Sequence, residues 1–174
     1  PEDLIPQFPV IRKATEAFNI PYVELMGYEA DDLIASYSRA AQKENMKVTI
    51  VSSDKDLMQL VSDNVSMLDT MKNKIVQKEE VYEKFGVYPE KVIDVQSLAG
   101  DSVDNIPGVP GIGIKTAALL INEYGNLDGL FKNSEKIKQK KRRENIIEFE
   151  EQAYLSKKLV TLRDDVPLPI PIQE

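Results

Sequence analysis

"MKVTIVSSDKDLMQLV" (Met46–Val61) runs from a β-branched apolar stretch through two aspartates into a new apolar pattern. A short, near-continuous apolar run of this kind predicts a strand buried in a parallel sheet, over residues 46–53. The segment 54–61 that follows reads as the start of a helix. Open α/β sheets bind ligands at the carboxyl ends of their strands, which is where Asp54 and Asp56 fall. Their spacing puts both carboxylates on one side while the chain stays extended. Asp54 is also a good helix cap, but capping does not account for Asp56.

Upstream, "EADDLIASYSRAAQKEN" (29–45) is the strongest helix in the chain, with Leu33, Ile34, Tyr37 and Ala41 as its apolar stripe. Before it, residues 8–18 have helical spacing and "NIPYVEL" (19–25) reads as a short strand. Downstream, residues 64–70 and 73–77 suggest two further strands. This β-α-β-α-β order predicts an α/β fold, a parallel sheet with helices packed on it. From residue 78 the pattern changes to helices over 78–87, 89–100, 114–125 and 144–162, punctuated by glycine or proline. The chain therefore divides into an α/β core (1–77) and a helical lobe (78–174). Its proline-rich end, "VPLPIPIQE" (166–174), is expected to be extended.

At 174 residues and 42% hydrophobic content, the chain has the length of one ordinary domain and can bury a core. No apolar run approaches a membrane span and nothing resembles a secretory signal, so a soluble, intracellular protein with no membrane partner is expected. The absence of cysteine excludes disulfides and thiolate-held zinc, and the absence of histidine removes the usual acid/base residue at neutral pH. Catalysis is left to carboxylates, lysines or hard metal ions. The net charge of −7 argues against a nucleic-acid partner, but the charge is uneven. "KNSEKIKQKKRR" (132–143) sets Lys132, Lys136, Lys138, Lys140, Lys141, Arg142 and Arg143 against Glu135 alone. Such a patch can hold phosphates despite the total, because salt screens charges beyond roughly 8–10 Å. Taken by itself, a solvated loop is the commoner explanation.

Three acidic clusters stand at element ends: Glu29, Asp31 and Asp32; Asp54 and Asp56; and Asp101 and Asp104 in "GDSVDN". Acids in a first helical turn are also what the helix dipole favours. If all seven converge without matching lysines nearby, their repulsion calls for cations, and oxygen ligands select Mg²⁺ or Mn²⁺ over zinc. Two such ions roughly 3.5–4 Å apart would support phosphodiester hydrolysis without histidine. Helical spacing puts Glu29 and Asp32 on one face and Asp31 well round the helix.

In "LAGDSVDNIPGVPGIGIKTAALL" (98–120), Gly108, Gly111 and Gly113 allow tight turns and close backbone approach before a helix that opens near Ile114. Exposed N–H groups at that helix start, with Lys115 and Thr116 in the first turn, make a phosphate cradle. A nucleotide-binding P-loop does not fit, since Ile114 intervenes before Lys115 and no buried strand precedes the glycines. A dinucleotide fingerprint fails because Thr116 takes its last glycine position. An unliganded helical corner is the plainer alternative. A glycine hairpin that grips duplex backbone without reading bases, joined to an acidic metal site, describes a structure-selective nuclease.

"GYEADDLIA", "VSSDKDLMQLV", "YPEKVIDVQSLAGDSVDNIPGVPGIGIKTAALLI" and "KKLVTLRDDVPL" resemble the 5′-nuclease (5′–3′ exonuclease) domain of bacterial DNA polymerase I, in the flap endonuclease superfamily, over nearly the whole chain. The resemblance implies a PIN-like α/β core with a helix-three-turn-helix motif at residues 98–120 that binds duplex DNA and holds a K⁺ ion. It also implies that Glu29, Asp31, Asp32, Asp54, Asp56, Asp101 and Asp104 are metal-site acids, and that Gly108, Gly111, Gly113 and Lys115 belong to the DNA-binding hairpin. The implied substrates are 5′ flaps, nicked or branched duplexes and RNA primers on DNA, in the nucleoid of the bacterial cytoplasm. In that family an N-terminal strand with a metal-binding aspartate, a second aspartate and most of a basic helical arch come first, and polymerase regions follow. A chain opening at Pro1 is thus expected to be an internal piece of such a polymerase, with an exposed sheet edge. The competing expectations are a free-standing 5′-nuclease paralogue and a DNA-structure-binding piece without catalysis.

Overall fold

The run Val48–Val51 is strand β1 in a computed structural model that describes residues 2–172. It forms one edge of a three-stranded sheet. β1 pairs in parallel with β2 (Val65–Asp69), Val48 opposite Val65 and Ile50 opposite Met67. The third strand, β3 (Lys74–Val76), runs antiparallel to β2, with Met67 opposite Val76. The sheet is therefore mixed and not wholly parallel as expected. The reason is length: only Thr70 to Asn73 lie between β2 and β3, with Asn73 at φ 49, and a parallel crossover needs a dozen or more residues.

Two further expectations change. "NIPYVEL" forms no strand. Pro21 offers no N–H, and no described strand lies beside the segment to complete a ladder. The expected helix after β1 is a short 3-10 turn, Asp56–Leu60, that drives Leu57 and Met58 into the core. Of the two helices in this half, α1 (Gln7–Ala17) buries no side chain, whereas α2 (Ala30–Lys43) buries Leu33, Ala35 and Ala41.

The second half is helical: α3 (Lys78–Phe85), α4 (Val92–Ala99), α5 (Ile114–Tyr124), α6 (Leu127–Lys132), α7 (Lys140–Glu148) and α8 (Glu150–Val160). The single helix expected over 144–162 is thus two, broken at Phe149, where φ is −105 and ψ is 25. α7 also takes up the end of the basic run as its first turn. α4 is the central helix: Val92, Val95 and Leu98 are fully enclosed, and it packs against α5 and α8. Each such aliphatic side chain contributes about 1.5–3 kcal/mol by leaving water. One buried cluster continues from Ile50 and Met67 on the sheet to Leu127, Ile146 and Ala153 in the helices.

The end of the chain is non-helical, as expected, but it is extended only in part: residues 166–168 run without a bend, the chain bends at Pro169 and Ile170 and turns at Ile172, and Gln173 and Glu174, like Pro1, lie outside the described residues. It is tied along α2. The Val166 N–H donates to Ser36 Oγ at 3.0 Å, and Tyr37 Oη donates to the Ile170 carbonyl at 2.8 Å. Arg39 pairs with Asp164 at 2.5 Å. Among the described residues no helix is long and apolar enough to cross a membrane.

Candidate active site

The carboxyl end of β1 is shaped by two nested side-chain turns. Ser52 Oγ accepts the Asp54 N–H at 3.0 Å, and Asp54 Oδ1 accepts the Asp56 N–H at 2.9 Å. Strand residues thereby give way to the 3-10 turn within a few positions. Gln96 of α4 reaches across and donates to Asp56 Oδ1 at 2.5 Å. The other amide atom, Gln96 Oε1, is buried without a hydrogen-bond partner.

α2 presents the next acids at its N-terminus. Asp32 accepts the Glu29 N–H at 3.4 Å, half of a capping box, and also accepts the Arg163 N–H at 2.9 Å. The same Arg163 stacks over Tyr28, 5.1 Å from the ring centre. Asp32 therefore braces the helix start against the tail. Asp31, the acid that helical spacing had set apart, is half-buried. Burial raises the pKa of its carboxyl, and the fields of Asp54, Asp56, Glu29 and Asp32 push in the same direction. Asp56 is also raised, chiefly by burial, against the lowering effect of Gln96.

Asp101 and Asp104 arrive on the loop after α4. Asp101 is buried and pairs with Asn105's neighbour Ile106 in an isolated antiparallel bridge, while its carboxylate accepts the Val103 N–H at 2.9 Å. The Lys55 ammonium, from between Asp54 and Asp56, forms an ion pair with that carboxylate. This hydrogen bond from Lys55 is the main reason the Asp101 pKa is lowered. The expectation of acids without a matching lysine is thereby corrected: Lys55 matches one of them. Asp104 is exposed at the tip of the turn, and its field reaches Asp56 and Lys55. Among the described residues no three acidic side chains are gathered closely enough to hold a metal ion.

In kind, these residues fit a hard divalent cation. The donors are all oxygen, and the carboxyls of Asp31 and Asp56 are raised first by burial and then by neighbouring acids. The raised carboxyls have a measurable consequence. A carboxyl with a folded pKa above its unfolded value binds more protons in the folded state, so its contribution to stability falls as pH rises through that window. Asp101, with its lowered pKa, acts in the opposite sense and below the usual carboxylate range. In metal-free buffer Asp31→Asn should raise stability at pH 7 by less than about 1 kcal/mol after solvent screening, and this gain should shrink toward pH 4. Thermal melts in EDTA at both pH values check this; a lower melting temperature for the variant at pH 7 would make Asp31 a structural residue.

The glycine hairpin links α4 to α5. Gly108 is buried at φ 60; its N–H donates to Ser156 Oγ at 3.0 Å, and its carbonyl accepts from Gln152 Nε2 at 2.6 Å. Its backbone therefore faces α8 and not solvent. Gly111, Gly113 and Lys115 are exposed, and Thr116 is half-buried in the first turn of α5. Asn145 of α7 donates to the Pro110 carbonyl at 2.8 Å. Lys55, Gln96, Ser156, Gln152 and Arg163 are site residues that sequence reasoning missed; none has a local signal, because each partner is distant along the chain.

Comparison with known proteins shows the family. Residues 1–86 match the family described as 5′–3′ exonuclease, N-terminal resolvase-like domain, and residues 87–174 match 5′–3′ exonuclease, C-terminal SAM fold. DNA polymerase I of Rhizobium leguminosarum is 59% identical over 98% of this chain, which spans 17% of that protein's length. A 5′–3′ exonuclease of Aquifex aeolicus is 42% identical over 98% of this chain, which spans 57% of it. A variant of the bacteriophage T5 flap endonuclease, solved as a pseudo-enzyme-product complex with DNA and metal ions, superimposes with a TM-score of 0.79 at 28% identity. That match covers 93% of this chain and 61% of the phage protein.

Proposed function

The chain belongs to the 5′–3′ exonuclease family, and from that premise we propose that it is the 5′-nuclease region of a bacterial DNA polymerase I, hydrolysing phosphodiesters as a metal-dependent 5′–3′ exonuclease and 5′-flap endonuclease. The observation that carries the reading is the placement of Asp54 and Asp56 at the carboxyl end of β1, with Gln96 of α4 held on Asp56, in a molecule that also exposes a glycine hairpin.

In this reading Glu29, Asp31, Asp32, Asp54, Asp56, Asp101 and Asp104 hold Mg²⁺ or Mn²⁺. When bound, two such ions supply an activated water and stabilise the leaving oxygen. The chain's own residues position the substrate. Gly111, Gly113, Lys115 and Thr116 approach the duplex backbone at the start of α5, where N–H groups and one ammonium suit a phosphate. Gly108 serves the same hairpin from inside, by fixing its shape. A K⁺ ion at the hairpin belongs to the same proposal. The substrates are 5′ flaps, nicked or branched duplexes and RNA primers on DNA, in replication and repair in the bacterial cytoplasm and nucleoid. The polymerase region of the same parent chain is the natural partner, passing on the displaced 5′ end.

A second reading, a DNA-structure-binding piece without catalysis, is favoured by two observations: Asp101 is held by Lys55, and among the described residues no three acids are gathered closely enough to hold a metal ion. Incubation of a 5′-labelled flap DNA with the chain decides between them. Cleavage with Mg²⁺ or Mn²⁺ that stops in EDTA is the expected result. Binding without cutting would select the second reading, and neither binding nor cutting would overturn both.

A further inference from the structure

The basic run at 132–143 takes no part in the site described so far. It is anchored by Ile137, which is buried and whose carbonyl accepts from Arg143 Nη1 at 2.9 Å. Lys132, Lys136, Lys138, Lys140 and Lys141 are exposed around that anchor. Lys140 and Arg143 have only long pairings, 3.8 Å to Glu144 and 4.0 Å to Glu135. Among the described residues no carboxylate lies within ion-pair distance of Lys132, Lys138, Lys141 or Arg142. An unneutralised cluster is unexpected in a chain with a net charge of −7.

Its placement gives it meaning. Asn145 of α7 hydrogen-bonds the Pro110 carbonyl, and a Cβ added at Gly111 would stand 3.6 Å from Asn145 Nδ2. Lys141 and Arg142 lie four and three residues before Asn145, so they share its side of α7 one turn away. The basic face therefore continues the exposed edge of the hairpin. The four cations of Lys140–Arg143 also sit in the first turn of α7, where the helix dipole disfavours positive charge. A local arrangement that works against helix stability is accounted for if these side chains serve a polyanion.

We propose that the basic face formed by the 132–143 loop and the start of α7 is a second contact surface for the nucleic-acid backbone. It carries the duplex past the hairpin and binds phosphates without regard to sequence. The inference rests on the proposed DNA-binding function and extends the region of nucleic acid engaged.

The test is fluorescence-anisotropy titration of a flap duplex across a range of KCl concentrations, in EDTA to prevent cleavage. Against the parent chain are set Lys115→Ala, the triple variant K138Q/K141Q/R142Q, and K43Q/K47Q at the opposite, amino end of β1. The triple variant should lower the slope of log K against log [salt] by about two to three, Lys115→Ala by about one, and K43Q/K47Q by nothing. Its melting temperature should hold or rise, since two opposing charges leave the first turn of α7 and a third leaves the loop just before it. Binding by the parent with a slope reduced by Lys115→Ala but unchanged in the triple variant would overturn this inference and leave the nuclease reading standing. No binding by the parent would overturn both. A triple variant that binds weakly but also melts lower would assign these cations to the fold and reject the second surface.

Discussion

Gly108→Ala is expected to destabilise the fold by about 3 kcal/mol or more, combining the strain of a left-handed residue with overpacking against fixed backbone. At φ 60 any L side chain is disfavoured, and a Cβ there would lie 2.4 Å from the Gly100 nitrogen and 2.7 Å from the Ala99 carbonyl carbon. These are backbone atoms, so no side chain can turn aside. Gly100 is its counterpart: a Cβ on it would lie 2.6 Å from the Ile106 carbonyl oxygen. The two ends of the hairpin cross at this point. Any shift that relieved the clash would pull Gly108 away from Ser156 and Gln152 and open the contact with α8. Gly113→Ala is the control, because φ is −93 and a Cβ meets nothing within 4 Å, so its change should stay within about 0.5 kcal/mol. Urea unfolding of the two variants measures the difference; a Gly108→Ala protein within 1 kcal/mol of the parent would refute the close crossing.

The role of Gly108 shows where sequence reasoning stops. A glycine in a phosphate cradle and a glycine beneath a backbone crossing satisfy the same steric demand, and the sequence does not say which backbone or ligand approaches. Strand β1, helix α2 and the helices α4 and α5 were legible because their signal is local: apolar runs, periodicity and glycine punctuation. The reversal at β3 was also present locally, in the shortness of Thr70–Asn73, and was outweighed by the alternating order of elements. The place of Asp32 has a reason no helical wheel contains: it accepts the N–H of Arg163, a tail residue far along the chain. Lys55 stands visibly between two aspartates, but its partner Asp101 lies on a different loop. The tail gave only its non-helical form, since a proline-rich run has no period from which to read the helix it covers.

Helix α4 joins the acidic end of β1 to the hairpin. From one turn to the next it sends Gln96 to Asp56, accepts the Val109 N–H on the Leu98 carbonyl at 2.7 Å, and ends at Gly100 and Asp101. Its buried Asp94 pairs with Lys157 of α8 at 2.8 Å, and α8 in turn grips Gly108. An acid at the end of β1 and a backbone turn at the hairpin are thus held by the same rigid element. Duplex seated on the hairpin would bring a phosphodiester to the acidic edge in fixed register, which is how positioning lowers a barrier without new chemistry.

Asp54→Asn should reduce flap cleavage by about 10²–10³-fold, the scale found when one electrostatic group that stabilises a transition state is removed. The substitution is nearly isosteric and retains a side-chain oxygen able to accept the Asp56 N–H, a bond of 2.9 Å in the parent, so the turn into Asp56–Leu60 should survive. What disappears is a unit of negative charge at the carboxyl end of β1, one of the charges that push the Asp31 carboxyl up. Affinity for flap DNA in EDTA should stay the same or rise slightly, because removing an acid weakens repulsion of any phosphate that approaches this edge. Asp54→Ala should lose both the charge and the turn, and would differ from Asp54→Asn by a lower melting temperature. Single-turnover cleavage with saturating enzyme separates the chemical step from binding. A cleavage rate at the parent's level in Asp54→Asn would make Asp54 a turn residue only and deprive the hydrolytic reading of its central acid. Lost cleavage with binding and melting intact would place the chemistry at the end of β1.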